Sequence, residues 1–231
     1  MKYMGSKRRI AKDILRIVLK DRQKNQLFVE PFVGGCNITS LVNGPRLASD
    51  SDSDLISMWK AASFGWMPPR TFTEDQYNEI KSSQESPLKG YAAFALSYGG
   101  KKFGGWRRDA SGARNYVDEA YRNAQKQFPN IIGVDFVCCD YKTLHVPNGS
   151  IVYCDPPYKS TTGYSGNFDH IEFWDWCRDI SINSSVFVSE YEAPLDFNCV
   201  WEGEVSSSLT KNTGAKIGVE RLFVPQLRSG E

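Results

Sequence analysis

The sequence predicts an α/β fold, in which a single sheet is interrupted by a mostly helical insertion. Short apolar runs that end near proline or glycine, at residues 27–30 and 150–154, are typical of buried strands. Between residues 58 and 128 the apolar pattern is helical, and no strand is convincing. A chain of 231 residues suits one well-buried domain with a small insertion. We therefore expect residues 1–57 and 129–231 to form the main domain, with residues 58–128 inserted in it.

A basic, amphipathic helix is predicted near the start of the chain. Ile10, Ile14, Ile17 and Val18 recur at helical spacing among nine Lys and Arg residues between positions 2 and 24. These cations are either the solvated face of the helix or a patch that binds nucleic acid, and the sequence leaves both interpretations open.

The remaining elements are predicted from turn residues and from periodicity. The strand at 27–30 runs into a glycine turn, after which residues 37–42 can open a helix. A strand at 46–49 enters an acidic string whose last member, Asp54, can cap a helix that starts at Leu55. The insertion has a capping box at residues 73–76 and a helix at 115–128. Further strands are predicted at 133–138, 150–154, 185–188, 200–205 and 220–224, with a helix at 170–180.

Composition and charge limit the class of protein. The net charge of +1 gives no global field for nucleic acid, so such a surface must be local. The six cysteines form no C-x-x-C pair and only two histidines are present, so we expect free thiols and no metal site. We find neither an apolar run long enough to cross a bilayer nor a signal-peptide pattern at the start, and we expect a cytoplasmic protein.

One segment outside the helices concentrates cations. Residues 98–108 mix glycines, aromatic residues and cations with little helical pattern, which suits contact with a phosphate backbone. The cations of this segment and its continuation are Lys101, Lys102, Arg107, Arg108 and Arg114.

Two predicted strand ends carry residues suited to an adenosine ligand, because ligands of open parallel sheets lie beyond the carboxyl ends of the strands. Gly34 and Gly35 follow the first strand, where a missing side chain lets a ligand approach the backbone. Asp50 ends the next strand, and an acid there can accept both ribose hydroxyls. The absence of G-x-G-x-x-G favours an adenosine with a cationic tail over a dinucleotide.

A third strand end carries the most specific motif, Asp155-Pro156-Pro157-Tyr158. Two consecutive prolines fix φ and remove two N–H donors, so the loop offers only carbonyls and a carboxylate as acceptors. Acceptors without donors suit an amino group. A surface turn after a strand is the alternative, but it explains neither the acid nor the aromatic residue.

These motifs and their order resemble those of the Dam-like (D12 class) DNA adenine-N6 methyltransferases of bacteria and phages. The resemblance covers most of the chain, and the insertion precedes the Asp-Pro-Pro-Tyr loop as it does in that family. The residues that carry it are 2–7, 29–35, 49–50, 53–56, 139–141 and 155–158. It implies a Rossmann-like S-adenosylmethionine-dependent methyltransferase sheet with helices on both faces and a target-recognition region in the insertion.

The resemblance also implies the site. Asp140 and Tyr141 would lie at the adenine ring of S-adenosylmethionine. The full set of implied cofactor contacts is Tyr3, Lys7, Phe32, Gly34, Asp50, Asp140, Tyr141 and Asp155. The implied catalytic residues are Asp155, Pro156, Pro157 and Tyr158. Cys36 and Asp52 depart from the family, because many relatives have a glycine or small residue and an asparagine there.

The implied activity is methyl transfer to N6 of an adenine flipped out of double-stranded DNA. Tyr158 would be the stacking platform, and Phe168 would either close the other side of the base or belong to the core. We expect a monomer or weak dimer in a bacterial or phage-infected cell, with association with a restriction endonuclease left open. The alternatives are a methyltransferase for protein glutamine or an RNA amino group, and an inactive DNA-binding relative.

Overall fold

The computed structural model describes residues 1–158, 168–207 and 216–226. It divides into two compact units. The first unit comprises Met1–Arg8 and Phe32–Leu144, and the second comprises Arg9–Pro31 and His145–Glu231. The division of the chain into a main domain and an insertion at residues 58–128 stays a prediction.

Helices and strands alternate along most of the chain. The strands, which belong to a mixed sheet of seven, are β1 (Phe28–Glu30), β2 (Arg46–Asp50), β3 (Asp135–Cys138), β4 (Ile151–Cys154), β5 (Ser185–Glu190), β6 (Phe197–Ser207) and β7 (Lys216–Pro225). The helices are α1 (Ala11–Val18), α2 (Ser53–Ser63), α3 (Glu74–Ile80), α4 (Pro87–Ala95), α5 (Tyr116–Gln127) and α6 (His170–Ser181). The predicted α/β, Rossmann-like class is confirmed.

The first unit contains β2 and β3 and the helices α2 to α5. The two strands are parallel, with Leu47 opposite Asp135 and Asp50 opposite Cys138. Trp59 of α2 is fully buried, stacked on Phe136 at 6.2 Å and edge-on to Phe128 at 5.7 Å between ring centroids. Aromatic contacts of this kind join helix and strand in one hydrophobic core.

Two local predictions in the first unit are wrong. Helix α2 begins at Ser53 and its cap is Asp52, whose side chain accepts from the Leu55 N–H at 3.0 Å. Asp54, the predicted cap, is inside the first turn and buried. Residues 37–42 form only one 3₁₀ turn, Thr39–Leu41, because Val42 is extended and the chain then turns at Gly44, where φ is +79°. The capping box at Thr73 is confirmed.

The second unit contains α1, α6 and the strand order β1-β4-β5-β7-β6. β1, β4 and β5 are parallel neighbours, whereas β7 pairs antiparallel with both β5 and β6. All four residues of β4 are buried, as its apolar run predicts. Helix α1 is amphipathic, with Ile14 and Val18 buried and Lys12 exposed. Within the ranges that the structure covers, no helix has the length and apolar character to cross a bilayer.

Candidate active site

Gly34 holds a turn that leaves little room for a side chain. Its φ is +44°, and a Cβ atom there would lie 2.7 Å from Cε1 of Tyr3. Both of its peptide groups are used, because its N–H donates to Asp50 Oδ2 at 3.0 Å and its carbonyl accepts from Trp59 Nε1 at 2.9 Å. These two hydrogen bonds join the glycine turn to β2 and α2. The backbone conformation of the turn is therefore fixed before a ligand binds.

Tyr3 brings the start of the chain against this turn. Its half-buried ring packs on Phe94 with centroids 5.4 Å apart. A Cβ atom at Gly100 would lie 2.7 Å from the Tyr3 Cα. Gly34 and Gly100 therefore both leave space for Tyr3 because they lack a side chain. Lys7, which follows in the same segment, is buried with 7% of its surface exposed. The first unit thus brings Tyr3 into contact with the predicted cofactor loop.

Asp50 lies at the carboxyl end of β2 and accepts two backbone hydrogen bonds. Besides the Gly34 N–H, the Asp52 N–H donates to Oδ1 at 3.1 Å. Burial raises the pKa of Asp50 to about 6, although these backbone donors oppose the rise. A carboxylate oxygen has more than one lone pair, so hydroxyl donors of a ligand can still bind here.

Two aromatic side chains meet near the same strand end. The rings of Phe32 and Tyr141 have centroids 5.3 Å apart and planes inclined by 37°. Asp140 precedes them as the cap of a 3₁₀ turn, Tyr141–Thr143, with Oδ1 accepting from the Lys142 N–H at 3.0 Å. The Cys139 N–H donates to the Asp50 backbone carbonyl at 3.1 Å, which ties this segment to β2.

The residues of the first unit fit the adenosine half of S-adenosylmethionine. A carboxylate suits the ribose diol, aromatic rings suit a purine face, and a glycine turn suits close approach to the backbone. Seven of the eight implied cofactor residues belong to this unit, which supplies these three kinds of contact. The eighth, Asp155, belongs to the second unit.

The acceptor loop, defined as Asp155 to Tyr158, follows the buried strand β4 in the second unit. Asp155 is half-buried, and Tyr158 has only 8% of its surface exposed. The Tyr158 hydroxyl donates to Glu220 Oε2 at 2.6 Å, and its ring meets Tyr191 edge-on at 4.7 Å. Burial and the carboxylate of Asp155 raise the pKa of Tyr158 well above its ordinary value, so its hydroxyl stays protonated.

Residues 3–94 match the family model of the D12 class N6 adenine-specific DNA methyltransferases. This match supports the Dam-like family. Among solved structures, the tRNA (m1A58) methyltransferase TrmI from Aquifex aeolicus shares 12% identity, with a TM-score of 0.39. That alignment covers 94% of this chain and 69% of TrmI. A methyltransferase family implies an enzyme with a methyl donor.

Phe168 packs within the second unit. Its ring lies 5.5 Å from that of Phe173 and 4.9 Å from that of His170, measured between centroids. These contacts fit the core interpretation of this residue, and closure of the base site by Phe168 stays a prediction. Residues 163–167, which precede it in the motif, lie outside the described residues.

The cations expected to bind DNA have acidic neighbours in the first unit. Lys102 is 2.9 Å from carboxylate oxygens of both Asp52 and Asp54. Arg108 pairs with Glu74, and Arg114 is 2.7 Å from Glu119. The Lys and Arg side chains of these ion pairs are exposed to solvent. A DNA phosphate can therefore replace the carboxylate as the partner of the cation. Lys101 is exposed as well.

Arg107 differs from the other four cations because it is buried, with 7% of its surface exposed. Its guanidinium is 3.2 Å from Glu119 and lies over the Tyr116 ring at 4.1 Å. These contacts indicate that Arg107 holds its segment against α5. A DNA contact by Arg107 stays a prediction that would require this packing to change.

The sequence did not reveal three side chains that position these loops. Trp59 holds Gly34, as described above. Gln127, at the end of α5, donates from Nε2 to the carbonyls of Gly35 and Cys36, each at 2.9 Å. Glu220 accepts from Tyr158. No sequence signal marks these residues, because each partner is distant along the chain.

Cys36 has a backbone conformation that is unusual for a residue with a side chain. Its φ is +53°, a left-handed conformation that glycine adopts without strain and other residues rarely adopt. The Cys36 side chain is fully buried. Glycine would avoid this strain, and here a small apolar side chain occupies the position.

Proposed function

We propose that this chain transfers a methyl group from S-adenosylmethionine to N6 of an adenine flipped out of double-stranded DNA. The observation that carries the proposal is the acceptor loop, which leaves a buried strand and is anchored by Tyr158. Its two prolines remove backbone N–H donors from the loop. The family match is consistent with this substrate.

The catalytic task in this proposal is to favour the nitrogen form that appears at transfer. The adenine amino nitrogen is a poor nucleophile because its lone pair is delocalised into the ring. The Asp155 carboxylate and the Pro156 carbonyl accept hydrogen bonds from N6 and stabilise the positive charge that develops there. Proline rigidity holds both acceptors in place, and no covalent enzyme intermediate is required.

The cofactor contacts in this proposal are those implied by the family resemblance. S-adenosylmethionine supplies a methyl group already activated by its sulfonium. Asp50 would accept from the ribose hydroxyls, and Phe32, Asp140 and Tyr141 would hold the purine. Tyr3, Lys7 and Gly34 would hold the remainder, and Asp155 would contact both the cofactor and N6.

Substrate binding in this proposal uses an aromatic platform and surface cations. A base inside a duplex is stacked and paired, so it must leave the stack before N6 can approach the acceptor loop. Tyr158 stacks on the extruded base, which requires the packing around its ring to open, because only 8% of its surface is exposed. Lys101, Lys102, Arg108 and Arg114 contact phosphates or guanine edges, which positions the duplex.

The test is a transfer assay with methyl-labelled S-adenosylmethionine and unmethylated genomic DNA. We expect label in DNA, recovered as N6-methyladenine after digestion to nucleosides. Parallel reactions contain total RNA and a protein extract. Label confined to RNA or protein would favour the alternative amino-group substrates, and cofactor binding without any transfer would favour an inactive relative.

A further inference from the structure

Glu220, which lies outside the acceptor loop, accepts a hydrogen bond from the Tyr158 hydroxyl. It lies on the antiparallel strand β7, opposite Gly203 of β6. The distance of 2.6 Å is typical of a hydrogen bond from a hydroxyl to a carboxylate oxygen. A strand that carries no catalytic residue in the proposed mechanism thus contacts the catalytic loop.

We propose that Glu220 is a positioning residue, which orients the Tyr158 ring so that the adenine base stacks on it. This inference rests on the proposed function. The backbone fixes one end of the Tyr158 side chain and Glu220 fixes the other, while Tyr191 packs edge-on at 4.7 Å. The first two constraints fix the direction of the ring axis and the Tyr191 contact restricts rotation about that axis, so the entropy of ordering the platform is lost before the base binds.

The chemistry of the pair supports a positioning role over proton transfer. Burial and nearby carboxylates raise the pKa of Tyr158 well above its ordinary value, so Tyr158 donates to Glu220 and keeps its proton. In this proposal the adenine base contacts the ring of Tyr158 and not its hydroxyl. Glutamine at position 220 retains a carbonyl oxygen that can accept from Tyr158, whereas leucine does not.

The experiment compares kcat and the KM for S-adenosylmethionine in four variants: Glu220→Gln, Glu220→Leu, Tyr158→Phe and the double variant Tyr158→Phe/Glu220→Leu. Losing a hydrogen bond to a charged group should lower kcat about tenfold in Glu220→Leu and in Tyr158→Phe. The double variant should lose no more than either single variant, because one interaction is removed in all three. Glu220→Gln should stay within about threefold of the wild type.

Glu202→Leu is the matched control. Glu202 lies on the neighbouring strand β6, is exposed and is 3.5 Å from Arg221. This variant should keep the wild-type kcat. The KM for S-adenosylmethionine should be unchanged in all variants, and Tyr158→Phe, which is nearly isosteric, keeps the test valid if Glu220→Leu folds poorly.

The outcomes separate the two proposals. An active wild type with unchanged kcat in Glu220→Leu and Tyr158→Phe would overturn the role of Glu220 and leave the proposed function standing. Losses that multiply in the double variant, or a Glu220→Gln variant as slow as Glu220→Leu, would also overturn it. A wild type that labels no DNA would remove both proposals.

Discussion

We propose different chemistry for Asp50 and Asp155, and their local surroundings differ. Asp50 accepts two backbone N–H groups within the first unit, which keeps the side chain in one orientation. Asp155 follows a fully buried strand and precedes two prolines, in the second unit. The first is suited to holding hydroxyl groups and the second to accepting from an amino group, and each role can be tested alone.

We expect cofactor affinity to depend on pH through Asp50. Burial raises the pKa of Asp50 to about 6 from an ordinary 3.8, so the folded chain takes up a proton as the pH falls through 6. The stability that this proton contributes is complete below 3.8 and is lost as the pH rises through about 6. Ribose hydroxyls bind the ionised form better, so affinity should fall by up to about tenfold per pH unit below 6.

Titration calorimetry with S-adenosylmethionine between about pH 5 and pH 8 measures this dependence. The Asp50→Asn variant should bind more weakly and show no such dependence. An equal fall in the affinity of wild type and variant with decreasing pH would assign the titration to another group.

Replacing Asp155 should remove transfer without unfolding the chain. Asp155→Ala deletes the carboxylate that stabilises developing charge at N6, and we expect kcat to fall at least about a hundredfold. Circular dichroism and the melting temperature should remain near those of the wild type. Substantial remaining activity in the label-transfer assay would mean that the catalytic centre lies elsewhere.

At the scale of elements, the junction of β2 and α2 combines a proposed cofactor residue with a helix cap. Asp50 ends the strand, and Asp52 caps the helix two residues later. Asp52 and Asp54 also contact Lys102, which comes from the cation-rich loop. The same short acidic string therefore serves the cofactor turn, the helix start and the loop that we propose contacts DNA.

Because Asp52 caps α2, we expect its replacement to lower the free energy of unfolding. Asp52→Ala removes the acceptor of the Leu55 N–H, and we expect the free energy of unfolding to fall by about 1 kcal/mol. Asp52→Asn keeps a capping oxygen and should cost only a few tenths of that amount. Urea denaturation of both variants measures the difference, and an equal loss would assign the effect to the lost charge beside Lys102.

Two adjacent arginines are expected to separate folding from DNA binding. Arg107→Ala removes a buried guanidinium that packs on Tyr116 and is one of two arginine partners of Glu119, and it should lower the free energy of unfolding by about 2 kcal/mol. Arg108→Ala removes an exposed cation and should leave stability within about 0.5 kcal/mol. It should weaken DNA binding and reduce the slope of log K against log salt concentration by about 1.

Fluorescence anisotropy with a mixed-sequence duplex at several salt concentrations measures the slope, and thermal unfolding measures stability. The reverse pattern, with a stable Arg107→Ala that has lost DNA affinity, would restore the first expectation that Arg107 contacts the duplex.

At the scale of the whole molecule, the two compact units carry different sets of candidate residues. The turn, the carboxylate and the aromatic pair that we propose for adenosine belong to the first unit, and the acceptor loop with Tyr158 and Glu220 belongs to the second. Cofactor binding should therefore be separable from transfer, because different units carry the two sets of residues.

Ligand stabilisation provides the test of that separation. At a concentration about 100 times its Kd, S-adenosylmethionine should raise the free energy of unfolding by about 2.7 kcal/mol. Asp155→Ala should retain most of this effect. Gly34→Ala should lose it, because a Cβ atom there would meet Tyr3 and the backbone at φ +44° disfavours a side chain. Differential scanning fluorimetry checks both, and stabilisation of Gly34→Ala equal to wild type would refute this site.

The sequence by itself determined the α/β class, most strand and helix positions, the capping box at Thr73 and the motifs at each strand end. These features depend on neighbouring residues, because periodicity, proline and glycine chemistry and capping act over one or two turns. The start of α2 was missed because Asp52 and Asp54 are both competent caps, and local preference does not distinguish between them.

Only the tertiary structure decided which side chains support the site. Gln127 reaches carbonyls 91 and 92 residues away, and Glu220 lies 62 residues from Tyr158 along the chain. Arg107 looked like its exposed neighbours in the sequence but is enclosed by Glu119 and Tyr116. Such contacts depend on how distant segments pack. Their hydrogen-bond and packing energy is gained only when folding brings those segments together, so local sequence patterns do not reveal them.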